Sequence, residues 1–241
     1  MEEKQSGSLA AKLDNFWYHY KWHTIITLFV VFVISVCTVQ CASNVRYDIQ
    51  ILYAGNHAFG RTSQDGGYSE YMETVSSLAE FAKDYDENGE TNVSFLDLYL
   101  LTKEEVAEIE NNNGSVSISL LQENTTTLNT TLGTSDYYVC FLSERLFKQY
   151  SEGEKNHGRF ARIADYAADG KEYDLVSEYG IRLSSLDAKD LPGISSLDAE
   201  DTIVCIRKIG AMSSIFSKSE SEKQFARSED FLRALLAYSG N

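Results

Sequence analysis

The stretch Val93–Leu101, VSFLDLYLL, runs without a break into Thr102-Lys103-Glu104-Glu105, and its reading decides the fold class. A near-continuous apolar run suits a strand buried on both faces, as in a parallel sheet covered by helices. Thr102 and Glu105 make the T-x-x-E pattern of a capping box, which predicts a short helix to about Asn111. A strand that turns directly into a capped helix is the repeating step of an α/β domain.

The flanking segments read the same way. Upstream, Tyr47–Tyr53 (YDIQILY) is a predicted strand, followed by the glycine-rich loop AGNHAFGRTSQDGGYS. A helix over about Ser69–Lys83 follows, with Met72, Val75, Leu78, Ala79 and Ala82 as its apolar stripe. Downstream, Val116–Leu121 alternates apolar and polar residues and predicts a third strand, and Glu123–Gly133 has room for a short helix. Tyr137–Leu142 (YYVCFL) predicts a fourth strand, with Ser143 placed to cap the helix ERLFKQY. Residues 158–169 read as helical. Residues 170–200 read as irregular and carry a tandem copy, SSLDAKD at Ser184–Asp190 and SSLDAED at Ser195–Asp201. A last strand, Thr202–Ile209, precedes a helix over about Glu222–Ser239 whose face is Phe225, Leu232, Leu235 and Leu236. The expectation is an α/β domain with a mostly parallel sheet of four or five strands flanked by helices. Such sheets bind ligands outside the carboxyl ends of their strands, which singles out the loops after Tyr53 and Leu142.

Ahead of this domain lies Thr24–Ala42, TIITLFVVFVISVCTVQCA, with no charged residue. As a helix it spans roughly 28 Å, about the thickness of a bilayer's hydrocarbon core. Trp17, Tyr18, Tyr20 and Trp22 precede it as an interfacial belt. Lys4, Lys12 and Lys21 lie on its N-terminal side, whereas Arg46 and Arg61 are the first basic residues beyond it. Positive-inside bias then predicts residues 1–23 in the cytoplasm, 24–42 across the cell membrane, and 43–241 outside. The long apolar core favours a retained anchor over a cleaved signal. Val36 before Cys37 and Gln40 before Cys41 do not supply the small residue that lipoprotein cleavage requires.

The net charge is −15, and residues 1–42 contribute nothing to it, because their three lysines balance Glu2, Glu3 and Asp14. The outer domain therefore repels nucleic acid and anionic lipid headgroups. A hydrophobic content of 43% argues against disorder. No G-x-G-x-x-G, P-loop, G-x-S-x-G or H-E-x-x-H pattern occurs. Asp84, Asp86, Asn88 and Gly89 match the opening of an EF-hand loop, but position twelve falls on Phe95 and not on an acid. His19, His23, His57 and His157 have no zinc spacing. No cofactor, metal or catalytic residue is expected. Cys140 and Cys205 lie in strand-like runs and read as apolar fillers, since a bridge needs their Cα atoms within about 7 Å.

Phe16–His23 (FWYHYKWH), the apolar helix and YDIQILYAG together resemble uncharacterised single-pass membrane proteins of Gram-positive bacteria. The stretch LGTSDYYVCFLSERLFKQY is similar to a segment of extracellular solute-binding proteins, in which a small polar turn and an aspartate precede an apolar strand and a helix. Those positions are Gly133, Ser135 and Asp136, then Tyr137–Leu142 and Ser143–Tyr150. The resemblance implies a reduced solute-binding-like fold and a membrane-anchored, extracytoplasmic, non-catalytic binding module. Its ligand contacts would be Asn56 and His57 after the first strand and Ser135, Ser143 and Glu144 around the fourth. The partner would be a small solute. The alternative is a structural or interaction module of a cell-envelope complex, with an envelope protein as partner.

Overall fold

The computed structural model describes residues 6–42, 47–60, 69–152, 158–168, 170–210 and 218–240. Gly66, Gly67, Tyr68 and His157, and the side chains of His19 and Cys41, lie outside the described residues. The chain divides into two units, Met1–Arg46 and Tyr47–Asn241.

The first unit holds one helix, α1 (Ser6–Ala42). Its stretch Tyr20–Thr38, with a mean hydropathy of 1.7, is long and apolar enough to cross a membrane.

The second unit is α/β, with helices on both faces of a six-stranded sheet. The strands are β1 (Ile49–Gly55), β2 (Val93–Tyr99), β3 (Val139–Ser143), β4 (Leu175–Ser177), β5 (Gly180–Arg182) and β6 (Thr202–Ile206), in the order β2-β1-β3-β6-β5-β4. Both neighbours of β1 run parallel to it, as expected of strands linked through helices. Side chains alternate across each strand. Ile49, Ile51 and Tyr53 of β1, Val139 and Phe141 of β3, and Val204 and Ile206 of β6 share one buried cluster. Leu52 and Ala54, Cys140 and Leu142, and Ile203 and Cys205 share the other. This two-sided burial is why these strands lack a polar face.

The first face is covered by α2 (Glu70–Ala79), through Leu78, and by α6 (Lys218–Ala237), through Phe231, Leu232, Leu235 and Leu236. The second is covered by α4 (Ile118–Thr134), through Leu128 and Leu132, and by α5 (Glu144–Ser151), through Leu146 and Phe147. Between β2 and α4 runs α3 (Lys103–Asn111), opened by the capping box that its sequence predicts.

The structure corrects the expected sheet in three respects. First, Val116–Leu121 is not a strand, because Ile118 opens α4 with Ser117 as its cap. Ile118 and Leu120 are half exposed, so their alternation marks no buried sheet face. Second, residues 158–168 are not an α-helix. Phe160 forms a bridge to Arg207, and Ile163–Tyr166 is a single 3-10 turn. Third, the sheet is mixed: β6 runs antiparallel to both β3 and β5, and β5 runs antiparallel to β4. Between β5 and β6 the chain makes three 3-10 turns and no α-helical crossover, so β6 returns antiparallel to β5.

Cys140 and Cys205 are fully buried register partners on β3 and β6. The Arg207 N–H donates to the Tyr138 carbonyl at 2.8 Å, and the Glu144 N–H to the Asp201 carbonyl at 2.6 Å. Counting by twos places Cys140 and Cys205 at a hydrogen-bonded position, where Cβ atoms lie about 5.5 Å apart, wider than the roughly 3.5–4.5 Å of a disulfide. The two thiols face each other as thiols. Burial and the Cys140 thiol alongside raise the Cys205 thiol well above its ordinary value.

Candidate functional site

At the carboxyl ends of β1, β2 and β3 lies a cleft of about 280 Å³. Asn56 reaches it from the end of β1, and Leu100, Thr102 and Glu105 from the β2–α3 turn. Ser143 and Arg145 reach it from the β3–α5 junction. Asp198 and Asp201 come from the turn before β6. Because β6 is antiparallel to β3, Thr202 pairs with Ser143, and the residues preceding β6 arrive at the carboxyl end of β3.

The capping box fixes Glu105. Its Oε2 accepts the Thr102 N–H at 2.6 Å, and its Oε1 accepts the Asn56 amide at 2.9 Å. Burial alone would raise its pKa, but these bonds and the charge of Arg145 outweigh burial and leave it below the usual carboxylate value. Asp198 shapes its own turn, with Oδ1 accepting the Glu200 and Asp201 N–H groups at 3.0 and 3.2 Å. Asp201 behaves in the opposite sense to Glu105. Burial raises its carboxyl, the Glu144 N–H opposes this, and the charges of Asp198, Glu144 and Glu105 push it further up. Three carboxylates thus crowd one cleft against a single guanidinium, Arg145.

Ser143 is 7% exposed, and its Oγ has no hydrogen-bond partner among the described residues. It occupies the N-cap of α5 but makes no capping bond, contrary to the expectation from sequence. A buried hydroxyl left without a partner is costly, so native chains rarely retain one.

Of the residues predicted to bind ligand, the structure brings Asn56 and Ser143 into this cleft and leaves three elsewhere. His57 is tied to Glu70, Nε2 to Oε1 at 2.8 Å, and its ring packs edge-on against Phe59. The Glu70 carboxylate also accepts the Gly60 N–H at 2.9 Å. Burial would raise Glu70, but Gly60, Ser196 and His57 together hold it below its usual value. This group clamps the β1–α2 loop onto α2. Glu144 lies beside the cleft but is committed to Arg182 at 2.8 Å and Lys148 at 2.5 Å. Ser135 sits at the opposite end of β3, where its carbonyl accepts from the Arg207 guanidinium and its hydroxyl donates to the Thr131 carbonyl at 2.7 Å.

Sequence reasoning missed Glu105, Arg145, Asp198 and Asp201 as site residues. Glu105 was legible only as a cap. The second tandem copy, SSLDAED, abuts a strand, which was the one local signal for Asp198 and Asp201.

Asp48, Asp84 and Asp86 bring carboxylate oxygens within 4.8 Å of one another. Asp48 accepts the Tyr85 and Asn92 N–H groups at 2.8 and 2.9 Å, and Asp84 accepts those of Asn88 and Gly89 at 3.2 and 2.7 Å. These acids build the turn between α2 and β2.

Comparison with protein-family models, curated proteins and solved structures finds no match.

Proposed function

We propose that the chain is a membrane-anchored, non-catalytic binding module. Its ligand is a small polar solute taken up in the cleft at the carboxyl ends of β1, β2 and β3. The observation that carries this reading is the convergence of polar residues on one cleft at the strand ends, Ser143 among them, whose buried hydroxyl has no partner among the described residues. Asn56, pre-bonded to Glu105, and Arg145 at the cleft's edge supply further polar contacts. In this reading α1 is the anchor. Lys4, Lys12 and Lys21, all before the apolar run that starts at Thr24, favour a cytoplasmic N-terminus with residues 43–241 outside. The tether raises the module's effective concentration beside a transporter or sensor subunit in the same membrane.

One observation favours the alternative, a protein-interaction module of the envelope. A larger groove of about 470 Å³ runs along α2, with Met72, Val75 and Ala79 set against Pro192. Met72 is half exposed there.

A thermal-shift screen of the full chain in detergent micelles, against sugars, amino acids, organic anions and short peptides, separates the two. A specific ligand at a hundred times its dissociation constant adds about 2.7 kcal/mol of stability. A shift that Ser143→Ala reduces supports the binding module. No shift from any compound favours the interaction module. Protease added to intact cells tests the topology, with digestion of the domain and protection of the N-terminus as the expected result.

A further inference from the structure

The groove along α2 is a concave surface separate from the cleft, and its occupant can be named whether or not the cleft takes a solute. We propose that it docks a basic amphipathic segment of a partner protein. One large apolar side chain of that segment enters between α2 and Pro192, and a lysine or arginine on either side of it meets Glu73 and Glu80.

The groove is built before any partner arrives. Met72, Val75 and Ala79 stand three and four residues apart on one face of α2. Opposite them is Pro192, the chain's single proline, with its ring exposed. That wall is fixed to the helix: the Ser77 hydroxyl donates to the Pro192 carbonyl at 2.9 Å, and Gly193 lies so close to Thr74 that a Cβ would fall 2.5 Å from its nitrogen. A preformed wall spares an incoming side chain the cost of ordering it. Met72, 45% exposed, supplies an adaptable thioether at the rim.

The charges around the groove choose the partner. Glu73 and Glu80 are exposed and seven residues apart, which is about 10 Å along the helix. No cation lines the groove, and neither glutamate has an ion-pair partner among the described residues. The next cation along the chain, Lys83, is held by Asp230 at 3.1 Å. The last turn of α2 carries no basic residue, so the negative end of the helix dipole adds to Glu80. An apolar stripe between two unpaired carboxylates, in a chain of net charge −15, attracts a cationic segment. The same charges repel an anionic lipid surface. A second copy docked face to face about a two-fold axis would set glutamate against glutamate. A small molecule is best held where most of its surface is buried, whereas this groove lies open along Met72, Ser76 and Glu80, as a groove for a peptide helix does.

The test is selection of a phage-displayed library of random peptides on the full chain in micelles. Enriched peptides are expected to carry Leu, Ile, Phe or Met between Lys or Arg residues. As synthetic peptides read by fluorescence anisotropy, they should bind about tenfold more weakly to Met72→Ser and to Glu73→Gln combined with Glu80→Gln. Glu104→Gln combined with Glu108→Gln removes the same charge from α3 and should leave binding unchanged. All five positions are exposed, and the melting temperature of each variant shows that it is folded. Failure to enrich any peptide, or enrichment of peptides without basic residues, overturns the proposal. Equal weakening by the two pairs of glutamine variants overturns it too, because the peptides would then read only the acidity of the surface. Peptide binding that Asn56→Ala removes and Met72→Ser does not belongs to the cleft, and overturns the docking groove while sparing the binding module. Self-association of the chain that Met72→Ser abolishes assigns the groove to a second copy and overturns the basic partner.

Discussion

Replacing Ser143 with alanine tests the central observation through stability alone. At an ordinary N-cap, Ser→Ala removes a bond to the first turn and costs about 1 kcal/mol. At Ser143 that bond does not exist, and the hydroxyl is buried without a partner. Leaving such a group unsatisfied costs about 1–3 kcal/mol. The substitution takes away only the oxygen and leaves the Cβ against its neighbours, so it opens little space. The expected sign is therefore reversed, and Ser143→Ala should stabilise the ligand-free chain by about 1 kcal/mol or more. In a domain of this size that is a rise in Tm of about 2–4 °C, readable by differential scanning fluorimetry or calorimetry in micelles. Ser143→Thr keeps the hydroxyl and should give no such rise. A fall of about 1 kcal/mol in Ser143→Ala would show that the hydroxyl is bonded in solution, as an N-cap ordinarily is, and would refute the reasoning.

Other perturbations probe separate parts of the fold. Gly193 has φ +75°, and a Cβ there would lie 2.5 Å from the Thr74 nitrogen and 2.7 Å from its Cα, so Gly193→Ala should destabilise by about 2–4 kcal/mol in urea titration. Arg207 is fully buried over the Tyr138 ring, and its guanidinium donates to the carbonyls of Ser135, Tyr137 and Lys208. Arg207→Met strands those acceptors and should cost about 3 kcal/mol by the same titration, with the loop before β3 gaining hydrogen exchange. The raised Asp201 carboxyl makes the folded chain bind that proton more tightly than the unfolded chain does. Its contribution to stability therefore falls as pH rises from the unfolded value, about 3.9, through the higher folded one. Asp201→Asn should be more stabilising at pH 7 than at pH 4, and denaturation midpoints at the two pH values check the sign. Non-reducing peptide mapping should recover Cys140 and Cys205 as thiols, protected from alkylation until the chain is denatured.

Four strands were legible because their apolar runs are long: β1, β2, β3 and β6 fall within two or three residues of the predicted Tyr47–Tyr53, Val93–Leu101, Tyr137–Leu142 and Thr202–Ile209, although β2 lies at the sheet's edge with only Phe95 and Leu98 buried, not on both faces as its run suggests. The capping box at Thr102 and Glu105 was legible because both its bonds lie within four residues. The hairpin β4–β5 was not, since each strand contributes three residues and no alternation can be counted over so few. Val116–Leu121 misled for a related reason, because a five-residue alternation also fits the opening turn of a helix capped by Ser117. Two of the cleft's lining residues, Asn56 and Ser143, followed from the rule that ligands bind at the carboxyl ends of parallel strands. The placing of Asp198 and Asp201 depends on strand direction, which no local pattern encodes. Had β6 run parallel, Asp198 and Asp201 would have stood at the far end of the sheet beside Ser135.

The tandem copy shows how one short sequence is put to two uses. The repeats align at an interval of eleven residues, Leu183-Ser-Ser-Leu-Asp-Ala-Lys-Asp190 with Ile194-Ser-Ser-Leu-Asp-Ala-Glu-Asp201. Both open with a 3-10 turn, closed by the Leu186 N–H on the Leu183 carbonyl and the Leu197 N–H on that of Ile194. In both, the apolar first and fourth positions are buried. The two copies diverge at their C-terminal ends. After Asp190 the chain turns at Pro192 and Gly193 against α2, where the Ser77 hydroxyl donates to the Pro192 carbonyl at 2.9 Å, and Asp187 is taken up by Lys171 at 3.3 Å. After Asp201 it enters β6 in register with the end of β3. The second copy's acids are thereby carried to the cleft, where Arg145 is the single opposing cation among its lining residues. Lys189 of the first copy reaches back to the Ser184 carbonyl at 2.9 Å, while the matching position of the second copy is Glu200. Exchanging Glu200 for lysine would set a second cation beside Asp198 and Asp201. Because burial and the charge of Asp198 raise the Asp201 carboxyl, Glu200→Lys should stabilise the folded chain more at pH 7 than at pH 4, as read from denaturation midpoints. An equal effect at both pH values would show that the added cation does not reach the charge of Asp201.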